Sequence, residues 1–160
     1  MEFVDEISKV KLVLSGKISD FYSEYMKSYD FKVESGGIIV GKLYPMDNKV
    51  VVTDVTMPFK KDCRGTNYFK RSEYGHQREM DRLWEISNKK KTYLGDWHTH
   101  RQDIPVPSNI DLKDWKRIEA RERNCRYAFF IIVGQEEIKV WTISDGLVRE
   151  MKEVKKSERK

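Results

Sequence analysis

The pattern of apolar and polar positions divides the chain into short strand-like runs and longer stretches with a helical period. Short runs of apolar, β-branched and aromatic residues predict strands, and apolar residues three or four apart predict helices. In chain order we expect a strand at 10–14, a helix at 18–27, strands at 37–43 and 50–56, a loop-rich stretch at 57–71, a helix at 72–88, a strand at 92–100, a helix at 108–123, and strands at 127–133 and 138–143.

No internal repeat and no interdomain linker interrupt this order of elements. It predicts the α/β (α+β) class, with a central mixed β-sheet flanked by helices, in a single domain over residues 1–160. With 39% hydrophobic and 12% aromatic residues, a chain of this length can bury a sizeable core.

Several features of the sequence bear on location. No apolar run is long enough to span a membrane, and the first residues, Met1-Glu-Phe-Val-Asp-Glu, are acidic rather than signal-like. Cys63 and Cys125 lie far apart, without the spacing of a zinc knuckle or a disulfide framework. Such cysteine use is typical of a reducing compartment, so we expect a cytoplasmic protein with no membrane partner.

The net charge of +5 comes from 31 basic and 26 acidic residues, so most of the surface carries mixed charge. Two basic clusters stand out: residues 60–64 with Lys70 and Arg71, and the tail at 152–160. We expect the tail, from about residue 150, to be solvated or frayed. The first cluster lies in the loop-rich stretch, where it could face an acidic partner.

Candidate chemistry is concentrated in residues 98–111. His98 and His100 occupy alternate positions of a predicted strand, so both imidazoles should point to the same face. The following helix begins at Ser108, and its positions Asp111, Trp115 and Ile118 share one face. Asp111 therefore heads the stripe that faces the core, and the histidine pair could meet its carboxylate.

Two imidazoles and one carboxylate make three ligands. Three protein ligands are typical of catalytic zinc, which keeps its fourth position for water. Such a water has a pKa of about 7, and a nearby carboxylate can take its proton. The best candidate for this base is Glu34, which precedes an apolar run opened by Gly36 and Gly37. Each element has a simpler interpretation, as half-buried histidines or a helix cap, but their combination favours a metal-dependent hydrolase.

The third histidine, His76, shares a helical face with Met80, Leu83 and Trp84. This pattern is more typical of a packed histidine than of a metal ligand.

The set Glu34, His98-x-His100 and Ser108-x-x-Asp111 resembles the signature of the JAB1/MPN/Mov34 (JAMM) metallopeptidases, which include deubiquitinating isopeptidases. The bacterial JAB deconjugating peptidases of CBASS antiphage operons are the closer likeness, and the resemblance runs from about residue 34 to 141. It implies a JAB/MPN-type domain with one zinc per chain, bound by His98, His100 and Asp111. Glu34 would be the general base and Ser108 would help to hold the oxyanion. Many relatives have proline where this chain has Arg101.

The resemblance also implies a protein substrate: a ubiquitin-like protein or a conjugated cGAS-like nucleotidyltransferase, cleaved after its C-terminus. Two alternatives stay open. A JAB-fold scaffold without catalysis would not need the intact residue set. A nucleic-acid-binding module would use the basic cluster at 60–64 with Tyr68 and Phe69, and its affinity would fall steeply with salt. Nucleic acid is the less favoured partner, because it leaves the spacing of the histidines, Ser108 and Asp111 unexplained.

Overall fold

A computed structural model describes residues 1–121 and 123–156 of the chain. Its helices are α1 (Gly16–Ser28), α2 (Glu73–Ile86) and α3 (Asn109–Glu119). Its strands are β1 (Glu2–Val4), β2 (Lys11–Leu14), β3 (Gly36–Tyr44), β4 (Lys49–Val55), β5 (Cys63–Arg64), β6 (Phe69–Lys70), β7 (Lys91–Thr99), β8 (Ala128–Val133), β9 (Ile138–Ser144) and β10 (Leu147–Glu153). The mixed α/β class predicted from the sequence is confirmed.

Eight strands form one mixed sheet that closes on itself, in the order β1-β10-β9-β8-β7-β3-β4-β2. The pairs β2–β4 and β7–β8 are parallel, and the other neighbouring pairs are antiparallel. Closure leaves no free edge in this sheet. It also places β7, which carries His98 and is followed directly by His100, between β3 and β8.

The core has three parts, one under each helix. The largest cluster joins α1 to the sheet, with Tyr22 packed edge-on against Trp97 of β7. A second cluster lies under α3, where Trp115 stacks on Phe130 with ring centroids 4.6 Å apart. A third joins α2 to β3 through Met80 and neighbouring residues. These contacts hold α2 and α3 over one face of β7 and α1 over the other.

A bulge changes which side chains of β7 face α2 and α3. Tyr93 pairs with Val40 while Gly95 pairs with Ile39, so the register shifts at this point. Gly95 has φ +149°, and a Cβ there would collide with the carbonyl oxygen of Phe129. Because of the shift, Tyr93 and Asp96 share a face, and the tyrosine hydroxyl donates to Asp96 Oδ1 at 2.8 Å.

The expectation of a frayed tail from about residue 150 is wrong for residues 150–153, whereas residues 154–156 follow the last strand and are exposed. Residues 147–153 form β10, which pairs with β9 and β1, and Met151 is buried. The pattern missed β10 because only Met151 of its side chains is buried. It missed β1 because that strand has three residues. Residues 157–160, where the tail prediction also fell, lie outside the described residues.

Two other boundaries differ from the expectation. The predicted helix at 108–123 ends at Glu119, since Trp115 and Ile118 are its only buried residues and no apolar position continues their stripe at 121 or 122. The loop-rich stretch at 57–71 contains the small hairpin β5–β6. Among the described residues, no helix combines the length and apolar composition needed to cross a membrane.

Replacing Asp5 by asparagine should destabilise the fold by about 2–4 kcal/mol, because the change removes one partner of a buried ion pair. Asp5 is 1% exposed and accepts from Arg149 Nη2 at 2.8 Å, which ties the segment after β1 to β10. Burial alone would raise the pKa of Asp5, but Arg149 and Ser8 outweigh burial and hold it well below its usual range.

A carboxyl group with a lowered pKa stabilises the folded state above its unfolded pKa, near 4, and loses that effect as the pH falls. Urea unfolding should therefore show a large difference between wild type and Asp5→Asn at pH 7 and a smaller one at pH 2–3. Glu6→Gln, which removes an exposed pair with Lys152, is the matched control and should stay within about 0.5 kcal/mol. A pH-independent difference for Asp5→Asn would contradict the ion-pair explanation.

Candidate metal centre

The centre is built where β7 ends and α3 begins. His98 and His100 project to the same side, and their Nε2 atoms lie 2.9 Å apart. Asp111, in the first turn of α3, places Oδ1 3.2 Å from His98 Nε2 and Oδ2 3.2 Å from His100 Nε2. Trp115 and Ile118, buried on the same face of α3, fix the direction in which Asp111 points.

These distances test whether a metal ion fits the donors. In a tetrahedral site with bonds of 2.0–2.1 Å, neighbouring ligand atoms are about 3.3 Å apart. The separations of 2.9, 3.2 and 3.2 Å among the three side chains are close to this value. Two imidazoles and a carboxylate suit zinc and other divalent transition metals. The donor set therefore fits a metal ion, with small movements of the side chains.

Asp111 performs two tasks at once. Ser108 Oγ accepts from the backbone N–H of Asp111 at 3.1 Å, and Asp111 Oδ2 accepts from the backbone N–H of Ser108 at 2.8 Å. This capping box does not turn the carboxylate away from His98 and His100, although a carboxylate folded back onto the helix could have been less available to a metal. Burial would raise the pKa of Asp111, but hydrogen bonds from His100 and His98 hold it far below its usual range.

Glu34 approaches the histidines from the segment before β3. Its Oε1 lies 3.8 Å from His100 Nε2, and the donor atoms of Glu34, His98 and His100 all lie within 4.8 Å of one another. The side chain is buried, and this burial raises the pKa of Glu34 despite the nearby histidines, which act to lower it. A carboxyl group with a raised pKa beside a metal site is well suited to exchange protons.

The backbone around Glu34 is held by its neighbours on β7 and by the hairpin. Ser35 and Thr99 exchange two hydrogen bonds: Thr99 N donates to Ser35 O at 2.8 Å, and Ser35 N donates to Thr99 Oγ1 at 2.9 Å. Arg64, in β5, donates from Nε to the Glu34 carbonyl oxygen at 2.8 Å. Gly36 follows with no room for a side chain, since a Cβ there would meet the ring of Phe69 and the Trp97 carbonyl oxygen.

His76 is a packed residue, in agreement with the sequence interpretation. It is 1% exposed and lies between Thr56 Oγ1, 2.6 Å from Nδ1, and Asp62 Oδ2, 2.9 Å from Nε2. Asp62 also accepts from Ser72 and from the backbone N–H of Phe59. This network ties the stretch before the β5–β6 hairpin to α2, and so supports the hairpin that contacts Glu34.

Gln102 is a residue of this centre that the sequence interpretation missed. Its Oε1 lies 3.1 Å from His100 Nδ1 and accepts from the backbone N–H of Val106 at 3.1 Å. An imidazole that donates from Nδ1 leaves Nε2 free as a ligand atom. Burial would lower the pKa of His100, but Asp111, Gln102 and Glu34 together raise it. A glutamine two positions beyond a His-x-His pair was the available signal.

Replacing Gln102 by leucine should weaken metal binding by about tenfold, because a residue of similar size would no longer hold the His100 ring. Competition with a chromophoric chelator measures this change, and long-range ¹H–¹⁵N spectra of the imidazoles report the tautomer. Gln135→Leu is the control, since the Gln135 side chain is exposed. Equal metal affinity in Gln102→Leu and wild type would show that Gln102 does not position His100.

Ser108 and Arg101 are both exposed beside the centre. The Ser108 hydroxyl accepts from the helix, so its proton stays available to a second acceptor. Nothing in the structure explains the choice of arginine at position 101.

The basic cluster at 60–64 surrounds the start of the β5–β6 hairpin, with Tyr68 exposed at its turn.

A pocket of about 230 Å³ opens beside the centre. His98 and Asp111 form one end, β7 forms its floor through Asp96, and α3 and the start of α2 form its walls. Arg71 crosses the floor and donates from Nε to both oxygens of Asp96, at 3.0 and 3.1 Å. The pocket therefore borders two of the candidate metal donors, His98 and Asp111.

Comparisons with known proteins place this chain in a family. Residues 25–144 match the family model described as prokaryotic homologs of the JAB domain, so the chain belongs to that family. Protein DSY2949 of Desulfitobacterium hafniense, solved in solution, shares the fold with a TM-score of 0.55 at 16% identity, over 87% of this chain and 88% of its own.

Two curated relatives carry the same description, CD-NTase/cGAS isopeptidase. One, from Escherichia coli (strain TW11681), is 31% identical over 96% of this chain and 93% of its own length. The other, from Pseudomonas aeruginosa (strain BWHPSA011 / Pa011), is 28% identical over 82% of each chain. The resemblance to bacterial JAB peptidases, based on the residues from Glu34 to Asp111, is confirmed at the level of the family.

Proposed function

We propose that the protein is a zinc-dependent isopeptidase that hydrolyses the bond after the C-terminus of a CD-NTase or a ubiquitin-like protein conjugated to a target. The observation that carries this proposal is the proximity of His98, His100 and Asp111, with Glu34 beside the two histidines and with His98 and Asp111 lining a pocket. The isopeptidase descriptions of the two curated relatives support the reaction and the substrate class.

In this proposal His98, His100 and Asp111 hold one zinc ion per chain. When bound, zinc supplies Lewis-acid chemistry: it acidifies a water and polarises the scissile carbonyl. The donor set supports this choice, because two histidines and one carboxylate are a recurrent catalytic zinc set.

Glu34 is the proposed general base. Its carboxylate takes the proton of the attacking water at an oxygen atom and later delivers it to the departing amine. Burial supports this role, since a carboxyl group whose pKa is raised can hold the proton between the two steps. Ser108 donates its hydroxyl proton to the oxyanion that forms at the substrate carbonyl, while its oxygen continues to cap α3.

The substrate is a protein, and we propose a CD-NTase conjugate, as in an antiphage operon, as its main form. The pocket beside His98 suits the extended tail of such a protein better than a folded surface. Free thiols at Cys63 and Cys125 support a cytoplasmic setting, where such thiols stay reduced.

Cleavage of fusion proteins tests this function. A bacterial CD-NTase joined through its C-terminus to green fluorescent protein should be cut after its last residue, as mass spectrometry of the products would show. Prolonged chelation should stop cleavage, and added zinc should restore it. A parallel fusion of a ubiquitin-like protein separates the two substrate classes. If no fusion is cut while the protein binds zinc, the isopeptidase proposal fails.

A further inference from the structure

The pocket beside the metal centre continues along β7 into a second pocket of about 270 Å³. The two share Arg71 and Ile118, so they form one groove between α2 and α3. His98 lies at the near end, and Tyr93, on the same face of β7, lies in the second pocket. We call the second pocket the arginine pocket, because Arg71, Arg121 and Arg123 line it.

The three arginines of this pocket differ in how their charges are satisfied. Arg71 forms a close pair with Asp96, and both side chains are largely buried. Arg121 lies 3.7 Å from Glu73 in a pair that is open to solvent, so its guanidinium can turn to another acceptor. In the part of the chain that the structure describes, Arg71 and Arg121 each have a carboxylate partner and Arg123 has none.

Arg123 is the unusual member of the set. Its Nε and Nη1 atoms are buried, and neither has a hydrogen-bond partner within residues 1–121 and 123–156. A buried guanidinium normally has acceptors for its donors, because leaving them unpaired costs the full penalty of removing them from water. Arg123 lines the arginine pocket directly. A carboxylate entering this pocket would supply this guanidinium with an acceptor of opposite charge.

The length of the groove gives the distance between the arginine pocket and the metal centre. Tyr93 and His98 are five residues apart on β7, which corresponds to about 13–16 Å for a strand with a bulge. An extended peptide beside β7 would cover this distance with four or five residues. In an isopeptide only a lysine side chain leads away from the bond on the amine side. A main chain that runs directly from the scissile bond therefore belongs to the acyl side, the tail of the conjugated protein.

We propose that Arg123, assisted by Arg121, binds the carboxylate of an acidic residue four or five positions before the scissile bond of the substrate. This specificity rests on the isopeptidase function proposed above. It adds the feature of the substrate that the arginine pocket recognises. The arginine pocket would thus favour substrates whose tail has an acidic residue at this position. Arg71, neutralised by Asp96, forms the floor and does not compete for the carboxylate.

Peptide binding tests this specificity without depending on turnover. The probes are fluorescein-labelled, C-terminally amidated decapeptides of alanine, serine and glycine, each with one glutamate at the third to seventh position from the C-terminus. Fluorescence anisotropy with the Glu34→Gln protein should show binding roughly ten- to hundredfold tighter for glutamate than for glutamine, at the fourth or fifth position alone.

Variants of the pocket connect this preference to Arg123. Arg123→Met should abolish the preference and leave the affinity for the glutamine peptide within about twofold, while Arg123→Lys should retain part of it. Arg126→Met is the matched control, because Arg126 is an exposed arginine in the same connection, and it should retain the whole preference. Thermal melting checks that each variant is folded.

The possible results separate this proposal from the function itself. Equal binding of glutamate and glutamine peptides, no binding of any peptide, or a preference that survives Arg123→Met would overturn the acidic-tail proposal. Cleavage of the CD-NTase fusion in those cases would leave the isopeptidase function standing. A preference that depends on Arg123, with every fusion uncut, would instead support the pocket and contradict the isopeptidase function.

Discussion

Glu34→Gln is expected to lower kcat/KM for the CD-NTase fusion by about 10²–10⁴-fold, the range of a lost general base. Glutamine has nearly the same shape as glutamate but cannot accept the proton of the attacking water at neutral pH. The contacts that place residue 34 come from its backbone, through Arg64 and Gly65, and do not depend on the side chain. The substituted side chain should therefore remain beside His100.

The same variant should keep its metal, which distinguishes a base from a ligand. Glu34 Oε1 is farther from His100 Nε2, at 3.8 Å, than the Asp111 oxygen is, at 3.2 Å. We expect about one zinc per chain in both wild type and Glu34→Gln, measured by elemental analysis after removal of loosely bound metal. Glu24→Gln, an exposed change on α1, is the activity control.

Two results would contradict this assignment in different ways. Near-normal cleavage by Glu34→Gln would remove Glu34 from the proton transfer. Loss of zinc together with activity would make Glu34 a ligand, an arrangement that the proximity of Glu34, His98 and His100 also allows geometrically. Measuring metal content and turnover on the same preparation separates these outcomes.

The sequence predicted the elements that depend on interactions between residues close together in the chain. The strand at 92–100 and the helix beginning at Ser108 follow from short-range periods and a capping motif, and these two elements bring His98, His100 and Asp111 together. The capping role of Ser108 was predicted as well, and it is compatible with the proposed oxyanion role, because a hydroxyl can accept and donate at once.

Contacts between distant segments explain what the sequence did not reveal. β10 is held by pairing with β9 and β1 and has one buried side chain, and β1 is a three-residue strand held by pairing with β2 and β10. Gln102 acts through a turn that returns its side chain to His100. The sequence pattern placed Arg123 in a helix at 108–123, but in the structure this helix ends at Glu119. The position of Arg123 in a pocket could therefore not be predicted.

His98→Ala is expected to reduce bound zinc from about one per chain to a small fraction, and to reduce cleavage to the background rate. The change removes one of three protein ligands, and two ligands rarely hold zinc against buffer and water. Asp111→Asn should act in the same direction, since a neutral amide replaces the carboxylate that approaches both histidines. Asp114→Asn, on the same helix and paired with Arg117, should bind zinc normally.

Thermal unfolding gives a second measurement that does not need a substrate. A ligand at a thousand times its Kd stabilises the folded state by about 4 kcal/mol, which for a chain of this size raises Tm by on the order of 10 °C. Zinc should produce this rise in wild type and Asp114→Asn, and almost none in His98→Ala. The rise should shrink as the pH falls through the raised pKa of His100, because protons then compete with the metal for Nε2.

These measurements also decide between the enzyme and the two alternative functions. A scaffold without catalysis, or a module that binds nucleic acid through the basic cluster at 60–64, has no need of zinc at His98. Either one would give the same zinc content for wild type and His98→Ala, and zinc would change the Tm of both proteins equally. If zinc instead stabilises wild type alone, His98, His100 and Asp111 form a metal site. The comparison of turnover between Glu34→Gln and wild type then shows whether this site is catalytic.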